Sequence, residues 1–181
     1  MGYYILLLDL GKPFVTSAAK KIIHRARPVI AFGMHRSGTS LLSRILIDLG
    51  INMGRDLSPN NESHFMQSLN RRLLDTSFKS SWASIDKMPS VEQMYSGYSL
   101  CVREAEERVA SYMGRQLLNL RGNAWGWKDP RNSLLLPVWA RVFPQGRFIH
   151  IYRDGFDVSL SLVKREKEGV SNNKAVHIDE T

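Results

Sequence analysis

Arg27-Pro28-Val29-Ile30-Ala31-Phe32-Gly33-Met34-His35-Arg36-Ser37-Gly38-Thr39-Ser40-Leu41-Leu42 is the stretch whose reading decides the fold. A short apolar run ends in a glycine, a cation and hydroxyls, and an amphipathic pattern begins at once. In chain order that is a strand, a tight loop and a helix N-terminus. The first N–H groups of a helix lack intrahelical partners and sit at the positive end of its dipole, so they bind oxyanions. A capped turn accounts for Ser37 and Thr39. It does not account for Arg36, because a cation at a helix N-terminus is unfavourable unless an anion shares the site.

Gly33 and Gly38 keep the G-x-x-x-x-G spacing of nucleotide-hydrolysing phosphate loops, but Thr39 stands where those loops carry Lys. Without the cation that reaches the terminal phosphates, the loop suits ATP chemistry poorly. A second segment is Arg147-Phe148-Ile149-His150-Ile151-Tyr152-Arg153, a strand ending in Arg, with Ser161 eight positions beyond Arg153; standing alone it reads as a surface Arg-Asp pair with a helix Ser. Ser161 then falls about two helical turns along the next helix, able to face the same crevice at the carboxyl edge of a sheet. A third segment is Trp125-Gly126-Trp127-Lys128-Asp129-Pro130-Arg131. Asp129 and Pro130 suit the stop of a strand and the start of a helix, and Arg131 fits nucleotide or solvent equally.

Taken together, Arg36-Ser37-Gly38-Thr39-Ser40, the Arg153 to Ser161 pair and Lys128-Asp129-Pro130 resemble the motifs of sulfotransferases that use 3′-phosphoadenosine 5′-phosphosulfate (PAPS). The resemblance covers roughly residues 28 to 167. It implies transfer of a sulfuryl group from PAPS to an acceptor hydroxyl on a glycan, lipid, peptide or small molecule, with no metal. Arg36 and Lys128 would meet the transferring group, Ser37, Gly38, Thr39 and Ser40 the 5′-phosphate, and Arg153 and Ser161 the 3′-phosphate. Bacterial relatives carry a Glu just after an aromatic residue as general base, but Met66 follows Phe65 here. Glu62 is the leading substitute, His64 another and His35 a third. The family usually continues past the second phosphate-binding helix, so the resemblance implies a minimal member or one shortened at the C-terminus. Two other readings stay open: a phosphate-loop nucleotide kinase or NTPase, and a catalytically inactive nucleotide-binding module.

Composition agrees with one globular domain. The chain has 181 residues, 43% of them hydrophobic and 23% charged. Its formal net charge of +8 calls for an anionic partner, and a polyanionic nucleotide suffices without nucleic acid, for which no recognised module appears. The single cysteine, Cys101, excludes an intrachain disulfide and reads as inert packing. The apolar run from Tyr3 to Leu8 is too short to span a bilayer and has no basic region ahead of it. The expectation is a cytoplasmic protein, with work near a membrane left open.

Periodicity orders the chain as a lead-in over 1–27, an α/β domain over 28–167 and a polar tail over 168–181. Strands are expected at 29–32, 51–53, 124–128 and 147–152, and helices at about 66–77, 99–120, 131–142 and 157–167. Leu41, Leu42, Ile45, Leu46 and Leu49 should pack one helix on the sheet, with Gly50 ending it. Residues 56–64 and 79–97 are expected as loops, with Trp82 and Met88 half buried. Alternating strands and helices predict a three-layer parallel sheet with helices on both faces and a P-loop-like nucleotide-binding core.

Overall fold

Residues 16–77, 91–116 and 124–176 are described by the computed structural model. Trp82, Met88 and most of the loop expected around them lie outside these residues. The central strand β1 (Val29–Phe32) is buried along its whole length and pairs in parallel with β2 (Gly126–Lys128) and β3 (Arg147–His150), giving the order β2-β1-β3. Ala31 is in register with Lys128 on one side and Ile149 on the other. The expected strand at 51–53 contributes only an isolated parallel bridge between Asn52 and Trp125.

The two faces of β1 belong to different cores. Ile30 joins Trp127, Trp139, Val109 and Phe143 in a large cluster built from α1 (Ser17–Arg25), α3 (His64–Arg72), α4 (Val91–Gln116) and α5 (Asn132–Val142). Val29 and Ala31 turn the other way, onto Leu46 of α2 (Thr39–Asp48) and Met53. This alternation, forced by the strand's period of two, is what the three-layer arrangement predicts. The sheet is small, with three strands.

Several boundaries differ from the sequence expectation. A π-helical turn (Leu73–Ser77) follows α3, and α4 begins at Val91, inside the stretch expected to be irregular. The last helix, α6 (Gly155–Val176), carries on through most of the expected polar tail. The apolar stripe of α2 is only half used: Leu46 is buried, but Leu41, Ile45 and Leu49 are 61%, 47% and 72% exposed. Three strands are too narrow a surface to cover that helix. Gly50 does end it as expected, at φ +83°, with its N–H and that of Ile51 donating to the carbonyls of Ile47 and Leu46.

Gly126 shows how tightly β2 lies on β1. A Cβ there would come within 2.0 Å of the Val29 carbonyl oxygen, whereas one on Gly50 would meet nothing within 4 Å. Gly126→Ala should therefore destabilise the protein by about 3 kcal/mol, and Gly50→Ala by about 1 kcal/mol from backbone strain alone. Urea unfolding midpoints check the order. Equal losses would mean that the β1–β2 contact adapts to the extra carbon.

Candidate functional site

The carboxyl ends of the three parallel strands open into a cleft of about 470 Å³. From β1 comes the loop at 33–38. Gly33 has φ +154° and a Cβ there would lie 2.1 Å from the Ile151 carbonyl oxygen, so only glycine lets the loop pass the end of β3 this closely. Arg36 sits at φ +67°, a left-handed conformation that costs a non-glycine residue about 1–2 kcal/mol. Such turns point successive backbone N–H groups into one concavity. Gly38, at φ +100°, caps α2 without any side-chain hydrogen bond, whereas Thr16 and Ser63 cap α1 and α3 through their hydroxyls. The opening N–H groups of α2 are thus left for a ligand.

Ser37 is turned inward instead. Its N–H and Oγ donate to the Met34 carbonyl at 3.2 and 2.6 Å, so it shapes the loop and offers the cleft little beyond backbone. Arg36 Nε donates to Ser161 Oγ at 2.9 Å across 125 residues of sequence, joining the loop after β1 to α6. Arg153 pairs with Asp157 one turn on, at 3.3 Å, both largely in solvent. Thr39, Ser40, Arg153 and Ser161 line the cleft with Arg36.

The opposite wall comes from β2 and the turn before α3. Lys128 is 1% exposed, and its Nζ lies 2.7 Å from Glu62 Oε1 and 3.4 Å from Ser40 Oγ. The second carboxylate oxygen of Glu62 accepts from Gln67 Nε2 at 2.6 Å. This buried, doubly held carboxylate lines the same cleft as the loop after β1. His64 is not brought in. It opens α3 in an exposed position and does not line the cleft, because the Ser63 cap directs it outward from the helix start.

His35 does line the cleft. Burial pushes its imidazole below the usual value, helped by the cations Arg131, Arg165 and Lys128 and opposed by Glu62. Asp129, expected as a helix cap, accepts the Arg131 backbone N–H at 2.9 Å just ahead of α5 and also forms a buried ion pair with the Arg131 guanidinium at 3.0 Å. Burial raises its carboxyl above the usual range, against the pull of Arg131 and Asn70.

Gln67, Asn60 and Arg165 also line the cleft and went unread in the sequence. Arg165 follows Ser161 by one helical turn, a spacing that could have flagged it. Gln67 and Asn60 carry no such signal. Among the described residues no cluster of three His, Cys, Asp or Glu side chains could hold a metal ion, and no helix is long and apolar enough to cross a membrane.

A model of the sulfotransferase family matches residues 28–180. No curated protein and no solved structure matches the chain.

Proposed function

The chain belongs to the sulfotransferase family, and from that premise we propose that it moves a sulfuryl group from PAPS to an acceptor hydroxyl. One observation carries the reading: both anion-binding motifs and a buried Lys–Glu pair line a single cleft. The residues fit such a donor. An uncapped helix N-terminus suits its 5′-phosphate, and the Arg153 and Ser161 side suits its 3′-phosphate.

PAPS supplies an activated sulfuryl group on a phosphate leaving group. The chain's task is positioning and charge stabilisation, as in phosphoryl transfer. The N–H groups of Gly38, Thr39 and Ser40 hold the 5′-phosphate, with Ser37 shaping the loop. Arg36 and Lys128 take the charge that grows on the bridging oxygen as its bond to sulfur breaks. Glu62 accepts the acceptor's hydroxyl proton as that oxygen bonds to sulfur. Lys128 thereby changes partner, from the Glu62 carboxylate to the donor's oxygens, and releases the base as it does so.

Calorimetry with adenosine 3′,5′-bisphosphate beside ADP tests the assignment. Two charge-assisted hydrogen bonds to the 3′-phosphate should favour the bisphosphate by at least about tenfold. Equal affinity for the two nucleotides, or tighter binding of ATP with magnesium, would sink it.

The imidazole of His35 adds a pH signature. In the free protein it is held below its ordinary value of 6.5. A bound polyanion favours its protonated form, so binding takes up a proton and affinity rises as pH falls. From pH 8 to pH 6 the bisphosphate should bind roughly threefold or more tightly, and His35→Gln should flatten that slope. The stability of the free protein runs the other way. The unfolded chain protonates first, so this contribution is present above the ordinary His range and is lost on acidification.

A further inference from the structure

The β2 side of the cleft carries a guanidinium that the transfer scheme has not used. Arg131 lines the cleft yet is only 9% exposed. Asp129 clamps it twice, Oδ1 accepting its backbone N–H at 2.9 Å and Oδ2 accepting Nη1 at 3.0 Å. Asp129 Oδ2 also accepts from Asn70 Nδ2 at 2.9 Å, and Asn70 Oδ1 accepts from the Trp139 indole at 3.1 Å. Asn132 closes the frame by accepting from Asn70 and the Trp127 indole and donating to the Ala31 carbonyl. Helices α3 and α5 and strands β1 and β2 thus hold one arginine on one edge.

The other edge is not satisfied. Arg131 Nε is buried without a partner, and it is the single such side-chain atom among the described residues. A buried donor left unmet costs about 1–3 kcal/mol. Neutralising Asp129 does not require the side chain to reach a cleft wall, but meeting an oxyanion does. A planar guanidinium locked by a carboxylate on one edge keeps the other for an oxyanion, which Nε, buried here, reaches by a shift of the side chain toward the cleft that Arg131 lines. Position narrows the ligand. In the order β2-β1-β3, Arg131 and Arg153 lie on opposite sides of the phosphate loop. A nucleotide running from the loop toward β3 leaves the β2 side to the group in transit.

We propose that Arg131 binds the oxygens of the transferring sulfuryl group and so distinguishes the charged donor from its spent form. The inference rests on the sulfotransferase reading. Two variants test it: Arg131→Lys, which keeps the charge and loses the fork, and the double variant Asp129→Asn with Arg131→Gln, which removes the pair without stranding a buried carboxylate. Each is titrated calorimetrically with PAPS and with adenosine 3′,5′-bisphosphate, and its thermal unfolding is compared with that of the unsubstituted protein. PAPS affinity should fall at least tenfold in both variants while bisphosphate affinity stays within twofold. A PAPS-to-bisphosphate ratio that does not change, whether both ligands weaken equally or neither does, overturns the assignment. Should the unsubstituted protein bind the bisphosphate no better than ADP, the sulfotransferase reading itself fails and takes this inference with it.

Discussion

Lys128→Ala should lower sulfuryl transfer by about 10²–10³-fold and destabilise the fold by about 3 kcal/mol. The two losses have separate causes. The first follows from the proposed scheme, in which Lys128 meets the charge that develops on the donor's oxygens. The second is a stranded carboxylate, since Glu62 is 8% exposed and Lys128 Nζ, at 2.7 Å, is its ionic partner. Combining Lys128→Met with Glu62→Gln separates them. The double variant replaces the ion pair with neutral groups of similar size, so it should regain most of the stability and none of the turnover. Urea unfolding and single-turnover rates give the two readouts. Turnover within tenfold of the unsubstituted enzyme in Lys128→Ala would remove Lys128 from the reaction.

Glu62→Gln should have opposite effects on catalysis and on binding. If Glu62 is the proton acceptor proposed above, its loss lowers turnover by about 10²–10⁴-fold. Among the described residues Glu62 is the carboxylate paired with Lys128, so losing its charge should let the bisphosphate bind several-fold more tightly. The substituted amide can still accept from Gln67 or Lys128, which keeps the local structure intact. A variant with normal turnover would return the base to an open question, with His35 the remaining cleft candidate. Weakened nucleotide binding would show that Glu62 supports the loop instead of competing for its cation.

The local parts of this site were legible because their causes are local. The strand, Gly33, Arg36, Gly38 and the start of α2 span a dozen residues, and the need for glycine at a close crossing or an uncapped helix start is written in that span. The second motif was legible for the same reason, and the one-turn step from Ser161 to Arg165 extends it. The buried frame was not. Asn70 and Asn132 look like ordinary polar helix residues until Trp127 and Trp139 are packed beside them, when their amides become the partners that two buried indole N–H groups require. His64 failed as a candidate for a comparable reason: proximity in sequence to Glu62 says nothing about which side of a helix start a side chain leaves.

By itself the sequence determined the strand–loop–helix at 29–48 and the alternation of strands and helices after it, because strand period, helix capping and glycine geometry act within a few residues. Tertiary structure alone decided that Glu62 would meet Lys128, that Arg36 would rest on Ser161, and that half of the apolar stripe on α2 would stay in water. Each of those outcomes depends on strand register and sheet width. Both are set by backbone pairing between segments about a hundred residues apart, and no short-range pattern encodes them.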